Sequence, residues 1–382
     1  MADFQKLSTI SVSCPKELAP YLKTEVEALG YTPGQVRSTG LDLQGSLEDC
    51  IRLNLSLRTG HRVHFLIAEE KADTPDELYA WLNALPWEEW IPAGSYFSVT
   101  SRVEHPTINN TQFANLRCKD AIVDRFRQVN GSRPDTGADT TKSVVFLYWN
   151  EQQARIFMDT SGESLSRRGY RVANTEAPMQ ESLAAALVMA TGWAPASGQA
   201  FINPMCGSGT LAIEAANLMM RHEPAARRRN FGFMHIAGFD RSVYKQARLK
   251  LRNARLQHPP ARIIATDYDT KVLNAAQKNA KAAGVDAFIE FKRCDFTKTP
   301  LPDGEGVLLM NPPYGERLGD KELLLETYED IGTWFKQKGT GKTGFVFTGD
   351  TGLSRRVGLR PSRKLNFYNT TLPCQLLEYE LY

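Results

Sequence analysis

The chain has 382 residues, and at roughly 100–200 residues per domain that implies two or three domains. Apolar residues make up 42% of it, enough for sizeable cores, and no run approaches the about 18 consecutive apolar residues that a membrane span needs. The net charge of +3 is too small to diagnose nucleic-acid binding, so the placement of charge matters more than its total.

The N-terminus, MADFQKLSTISVSCPKELAPY, lacks a basic segment followed by a long apolar one, so no secretory signal is expected. LSTISVSC reads as a strand, and PKELAPYLKTEVEALG as a helix closed by Gly30. Extended runs around Val36–Leu43 lead to a helix around Leu47–Leu57 and a strand at Arg62–Ala68. Helix PDELYAWLNAL, strand YFSVTSRV and helix TQFANLRCKDAIVDRFRQV follow, and SVVFLYW and ARIFMDT around Asn150 read as a β-hairpin. With no Gly-rich loop after a strand, this third is expected to form small α+β modules rather than a nucleotide-binding sheet. Ser161 to Pro178, SGESLSRRGYRVANTEAP, is small and basic and is expected as a linker.

Beyond it the order becomes regular. Helix MQESLAAALVMATGW precedes strand QAFI, loop NPMCGSGT and helix LAIEAANLMM. Strand RIIAT meets Asp267 before helix KVLNAAQKNAKAAG; strand AFIEFKRC meets Asp295, and strand GVLLM meets Asn311. Helix KELLLETYEDIGTWFKQK, strand TGFVFTG and a terminal hairpin of KLNFYN and CQLLEYELY complete the chain. Strands each followed by helices imply a parallel sheet, and polar residues at successive strand ends point to one crevice.

Gly207 and Gly209 let the backbone turn sharply and approach a ligand, and the helix start behind them favours an anionic group. Asp267, at the end of the next strand, is placed to accept both ribose hydroxyls of a nucleoside cofactor. Asp295 is suited to an adenine amino group or to a helix cap, and Asp240, a competitor for the ribose role, to capping its own helix. In that helix Arg241, Lys245, Arg248, Arg252 and Arg255 share one face. Together with RHEPAARRR and SRRGYR this face is expected to form a phosphate-backbone path. The six cysteines are scattered with no CxxC pair, which points away from a disulfide framework or a metal site and towards a reducing, cytoplasmic setting.

Asn311, Pro312, Pro313 and Tyr314 carry the most specific chemistry. An exocyclic amino group on a base is a poor nucleophile because its lone pair is delocalised into the ring. Two acceptors on its protons, the Asn311 side-chain carbonyl and the Pro312 main-chain carbonyl, pull the nitrogen towards tetrahedral geometry, while Tyr314 offers a face to a flipped base.

NPMCGSGT, IIATDYD and NPPYGERLG together resemble the S-adenosylmethionine-dependent methyltransferases of exocyclic amino groups, and within them the bacterial THUMP-domain RNA methyltransferases of the RlmL type, which act on guanine N(2) of 23S ribosomal RNA. The resemblance covers nearly the whole chain. It implies a ferredoxin-like module at 1–46, a THUMP RNA-binding domain at 47–160, a linker at 161–178 and a Rossmann-like methyltransferase domain at 179–382. The fold class it implies is α/β, with a terminal antiparallel hairpin. It also implies an S-adenosylmethionine site made by Asn203, Pro204, Cys206, Gly207, Gly209 and Thr210, with Glu181, Asp267 and Asp295. Asn203 departs from the Asp that opens this loop in the family; its amide oxygen can still accept from the cofactor ammonium. Some relatives carry a second methyltransferase domain, and since the chain stops at Tyr382 that second activity is expected to be absent. The expected partner is 23S rRNA, with tRNA as the alternative and no membrane or metal. A DNA adenine methyltransferase shares only the tetrad, and a catalytically silent ribosome-assembly factor is the reading from another class.

Overall fold

The computed structural model describes all residues except 106, 107, 109, 152, 174–178 and 315–320, with the backbone alone at Lys321. Two compact units emerge. The first comprises Met1–Cys14, Leu22–Arg167 and Arg228–Lys250; the second comprises Pro15–Tyr21, Arg168–Arg227 and Leu251–Tyr382.

The amino-terminal half runs β1 (Ser8–Ser13), α1 (Ala19–Ala28), β2 (Pro33–Arg37), β3 (Gly40–Gly45), α2 (Leu47–Ser56), β4 (Arg62–Lys71), α3 (Pro75–Ala84), β5 (Tyr96–Glu104), α4 (Thr111–Asn130), β6 (Asp135–Thr136), β7 (Ser143–Asn150) and β8 (Gln153–Asp159). Local chemistry sets the boundaries. Ser46 and Asp49 form a reciprocal capping box at the start of α2, Thr74 caps α3 ahead of Pro75, and Gly131 ends α4 in the left-handed conformation. The expected β7–β8 hairpin is present, with Asn150 paired to Gln153. The strands do not close as separate small sheets. They form one eight-stranded sheet in the order β2-β3-β1-β4-β8-β7-β5-β6, because β4 is long enough to pair with β1 through its first half and with β8 along most of its length.

The carboxyl-terminal half runs α5 (Glu181–Ala190), β9 (Ala200–Pro204), α6 (Thr210–Met219), α7 (Arg241–Asn253), β10 (Ile263–Asp267), α8 (Thr270–Ala283), β11 (Glu290–Arg293), β12 (Gly306–Met310), α9 (Lys321–Lys338), β13 (Lys342–Thr348), α10 (Thr351–Arg356), β14 (Arg363–Asn369) and β15 (Leu372–Leu381). Its seven-stranded sheet has the order β11-β10-β9-β12-β13-β15-β14, parallel from β11 to β13 and antiparallel beyond. Every residue of β9, β10 and β12 is buried, as continuous apolar runs covered on both faces require. Helices α5 and α6 are apolar nearly all round and bury almost every residue.

Two expectations change. Of the supposed linker, Ser161–Arg167 belongs to the first unit and Arg168–Ala173 to the second, and most of these residues are packed rather than solvated. The segment Arg228–Lys250 follows α6 in sequence yet folds with the first unit, where Phe231, Phe233, Phe239 and Tyr244 form an aromatic cluster. Residues 174–178 and the GERLG end of the Asn311 motif lie outside the described residues.

Candidate active site

Strands β9 and β12 are neighbours, and the chain runs from β9 to β10 on one side and from β12 to β13 on the other; the crevice beyond such strand ends is where open α/β sheets take ligands. The three strands deliver there the loop after Pro204, Asp267 and Asn311. Sequence spacing alone could not bring these residues together; strand order does.

The loop is pre-shaped. Met205, Gly207 and Gly209 all have positive φ (51°, 57° and 83°), and a non-glycine there marks strain held by its surroundings. The Cys206 amide donates to the Thr266 carbonyl at 2.9 Å and the Gly207 amide to Asp267 Oδ2 at 3.0 Å, so β10 fixes the turn. A Cβ at Gly209 would stand 2.9 Å from the Ala276 Cβ, which makes this glycine a close-packing residue between α6 and α8. At Gly207 no atom of the described residues, its two chain neighbours aside, lies within 4 Å of that position, which leaves room beside the backbone. Burial pushes the Cys206 thiol well above its ordinary range, so it serves as a small apolar filler rather than a nucleophile.

Asp267 is buried, and its Oδ1 accepts from the Asp269 amide at 3.0 Å. Desolvation raises its pKa above the usual 3.8, against the pull of those amide donors. Tyr268, which the sequence reasoning passed over, is 72% exposed beside it and presents an aromatic ring at the strand end. Asp295 caps the short turn after β11, its Oδ1 accepting from both Thr297 N and Oγ1. Asp240, in the first unit, accepts from the Ser242 amide at 2.7 Å and is a cap, as its position suggested.

Asn203 is fully buried, and its Nδ2 donates to the Leu309 carbonyl at 2.8 Å, tying β9 to β12, while Oδ1 has no partner among the described residues. A carboxylate in this orientation would set oxygen against oxygen, which accounts for an amide here. Glu181 opens α5 and lies 3.4 Å from Arg171. Thr210 begins α6, 3.3 Å from Ser208 Oγ.

Asn311 Oδ1 is likewise buried with no hydrogen-bond partner among the described residues. Pro312 is buried and Pro313 half-buried. The Tyr314 ring meets Phe347 edge to face at 6.3 Å, and its hydroxyl accepts from Asn369 Nδ2 at 3.0 Å. Burial raises its pKa, so it stays a neutral phenol. Gly349 is a second residue that sequence reasoning missed: a Cβ there would lie 3.1 Å from the Tyr314 ring.

The basic path contracts. Arg228 donates to the carbonyls of Ser161, Glu163 and Ser164, and burial pulls its pKa down to about 10. Arg227 donates to the Ala282 carbonyl, Arg255 pairs with Glu223 at 2.7 Å, and Arg248 lies over the Tyr244 ring. Arg168 is buried against Glu214 at 3.1 Å. Arg241, Lys245 and Arg252 remain exposed on α7. No group of three His, Cys, Asp or Glu among the described residues is arranged to hold a metal, and no helix among them is long and apolar enough to cross a membrane.

The second unit is thus an open, mostly parallel α/β protein with a glycine loop, a strand-end acid and, at its switch point, an amide oxygen with no partner among the described residues. The chain belongs to the family described as RMKL-like, methyltransferase domain, which matches residues 168–378. An RlmL ferredoxin-like domain matches 9–64 and a THUMP domain 72–159. A ribosomal RNA large subunit methyltransferase K/L of Syntrophotalea carbinolica is 39% identical over 97% of this chain and 53% of its own, so the chain spans about half the length of the curated relatives it matches. The crystal structure of SMU.472 complexed with SAH is 28% identical and covers 99% of both chains with a TM-score of 0.88. A Listeria monocytogenes protein described as a predicted N6-adenine-specific DNA methylase is 30% identical over 98% of this chain and 96% of its own, also with a TM-score of 0.88.

Proposed function

We infer that the chain transfers a methyl group from S-adenosylmethionine to the exocyclic amino group of a guanine in 23S ribosomal RNA, giving N(2)-methylguanosine. The observation that carries this reading is the meeting at one switch point of the glycine loop, Asp267 and the Asn311 side-chain oxygen, which has no partner among the described residues. The residues fit the cofactor: Gly207 leaves open space, Asp267 is a fixed acceptor for ribose hydroxyls, Tyr268 offers a ring beside it, and Asn203 Oδ1 is an acceptor with no partner among the described residues. Glu181, Thr210, Pro204 and Cys206 shape the amino-acid end of the same site, and Asp295 its far edge. Bound there, the cofactor supplies a methyl group activated by a positive sulfur.

The protein's part is positioning and polarisation. Asn311 Oδ1 and the Pro312 carbonyl accept hydrogen bonds from the two amino hydrogens, localise the nitrogen lone pair and stabilise the positive charge that builds on it until one proton leaves to solvent. Pro312 and Pro313 hold that turn rigid. Tyr314, pinned through its hydroxyl and braced by Phe347, orients the base.

RNA is favoured over DNA by the ferredoxin-like and THUMP matches, and the relatives' name favours rRNA over tRNA. An rRNA substrate places the reaction in the cytoplasm. Purified chain should transfer labelled methyl groups to 23S rRNA, with N(2)-methylguanosine found by nucleoside mass spectrometry. Methylation of tRNA or of DNA adenine alone would replace the substrate, and no cofactor binding would return the chain to a silent assembly factor.

A further inference from the structure

We propose that Arg171 receives the carboxylate of the cofactor's amino-acid end, beside Glu181, which takes the ammonium. The proposal rests on the S-adenosylmethionine reading and adds to it a residue that the sequence pattern assigned to an RNA path.

Arg171 lies inside the second unit, not on a solvated linker. Buried Asn279 on α8 staples the backbone next to it: Oδ1 accepts from the Val172 and Ala173 amides at 2.9 Å, and Nδ2 donates to the carbonyls of Ala173 at 3.1 Å and Ser208 at 3.2 Å. One side chain thereby locks residues 172–173 to the glycine loop. Among the described residues the guanidinium that precedes them has one short bond, Nη2 to the Met179 carbonyl at 2.7 Å. Its other contacts are long: 3.4 Å to Glu181 Oε1 and 3.5 Å to Thr210 Oγ1. Nη1 is buried with no hydrogen-bond partner among the described residues. A buried charged donor left unmade is costly, and such groups in native structures call for an explanation.

A ligand supplies one. Glu181 opens α5 and Thr210 opens α6, so Arg171 spans the two helix starts at the glycine loop. An α-amino-acid zwitterion carries one carboxylate and one ammonium, the complement of an arginine and a glutamate held side by side. In the free chain the two satisfy each other poorly at 3.4 Å; a zwitterion gives each a full partner.

The test compares S-adenosylhomocysteine with its decarboxylated analogue, which keeps the adenosine, the thioether and the amine, by calorimetry on the full chain. The wild type should bind S-adenosylhomocysteine about tenfold or more tighter, the scale of one charge-assisted hydrogen bond. Arg171→Gln should lose about that factor for S-adenosylhomocysteine yet bind the analogue within about twofold of wild type, and Arg171→Lys should restore part of the difference. Equal weakening of both ligands in Arg171→Gln would make the residue a brace for the loop and overturn the proposal, as would a wild type indifferent to the carboxylate. Should Arg171→Gln not fold, the wild-type discrimination and its reduction in Arg171→Lys decide the matter. Normal binding of the analogue with no preference for the carboxylate leaves the cofactor reading standing without Arg171; failure of either ligand to bind the wild type removes both.

Discussion

In the proposed mechanism the chemistry turns on Asn311, whose side-chain oxygen is buried with no hydrogen-bond partner among the described residues. Asn311→Ala should leave both substrates bound and slow single-turnover methyl transfer by on the order of 100- to 1,000-fold, the usual cost of one preorganised hydrogen-bonding group. A near-normal chemical step in that variant would reduce the motif to a turn. Asp267 makes a different prediction, through pH. Burial raises its pKa above 3.8, so the folded chain holds this proton more tightly than the unfolded chain does. Its contribution to stability is therefore present at low pH and lost as pH rises through the raised value, where the ionised carboxylate is left desolvated. In the role proposed for Asp267, the ionised form is the one that accepts two ribose hydroxyls. Affinity for S-adenosylhomocysteine should then fall as pH drops, beginning above the ordinary carboxylate range, and Asp267→Asn should flatten that dependence in calorimetry while weakening binding by about 1.5–3 kcal/mol at neutral pH.

Among the elements, α6 carries a buried charge that tertiary contacts must balance. Glu214 lies on a helix apolar nearly all round, and it is met by Arg168 at 3.1 Å and by the Tyr170 hydroxyl at 2.9 Å. The SRRGYR stretch is thus split by its surroundings: Arg167 is exposed near Glu163, whereas Arg168 and Tyr170 are buried against α6. Arg168→Met should destabilise the fold by about 3–5 kcal/mol, since removing one partner strands the other charge, and urea denaturation would measure it. Arg168→Met combined with Glu214→Leu should recover much of the loss; recovery would show that the penalty comes from the stranded carboxylate rather than from lost packing.

At the scale of the whole molecule, a net charge of +3 means that the proposed affinity for RNA would rest on local patches. Arg241 and Lys245 are exposed on α7 and belong to the first unit, whereas Arg228, Arg248 and Arg255 of the same stretch are already engaged. Replacing Arg241 and Lys245 with Ala should lower the salt slope of RNA binding by roughly 0.7 per lost contact on single strands, and an unchanged slope in a salt titration would assign the face to solvent. Periodicity and turn chemistry made most elements legible in advance, from the capped helices to the terminal hairpin, because burial on one face leaves its mark on every residue of an element. The glycine loop, Asp267 and the Asn311 motif were legible for a similar reason: each is a local departure from that pattern at a strand end. The sheet that continues from β1 through β4 to β8, the return of Arg228–Lys250 to the first unit, Gly349 behind Tyr314 and the separate fates of the arginines were not. An arginine has the same charge in the sequence whether it meets a phosphate, a carbonyl or a buried glutamate; only the folded neighbours decide which.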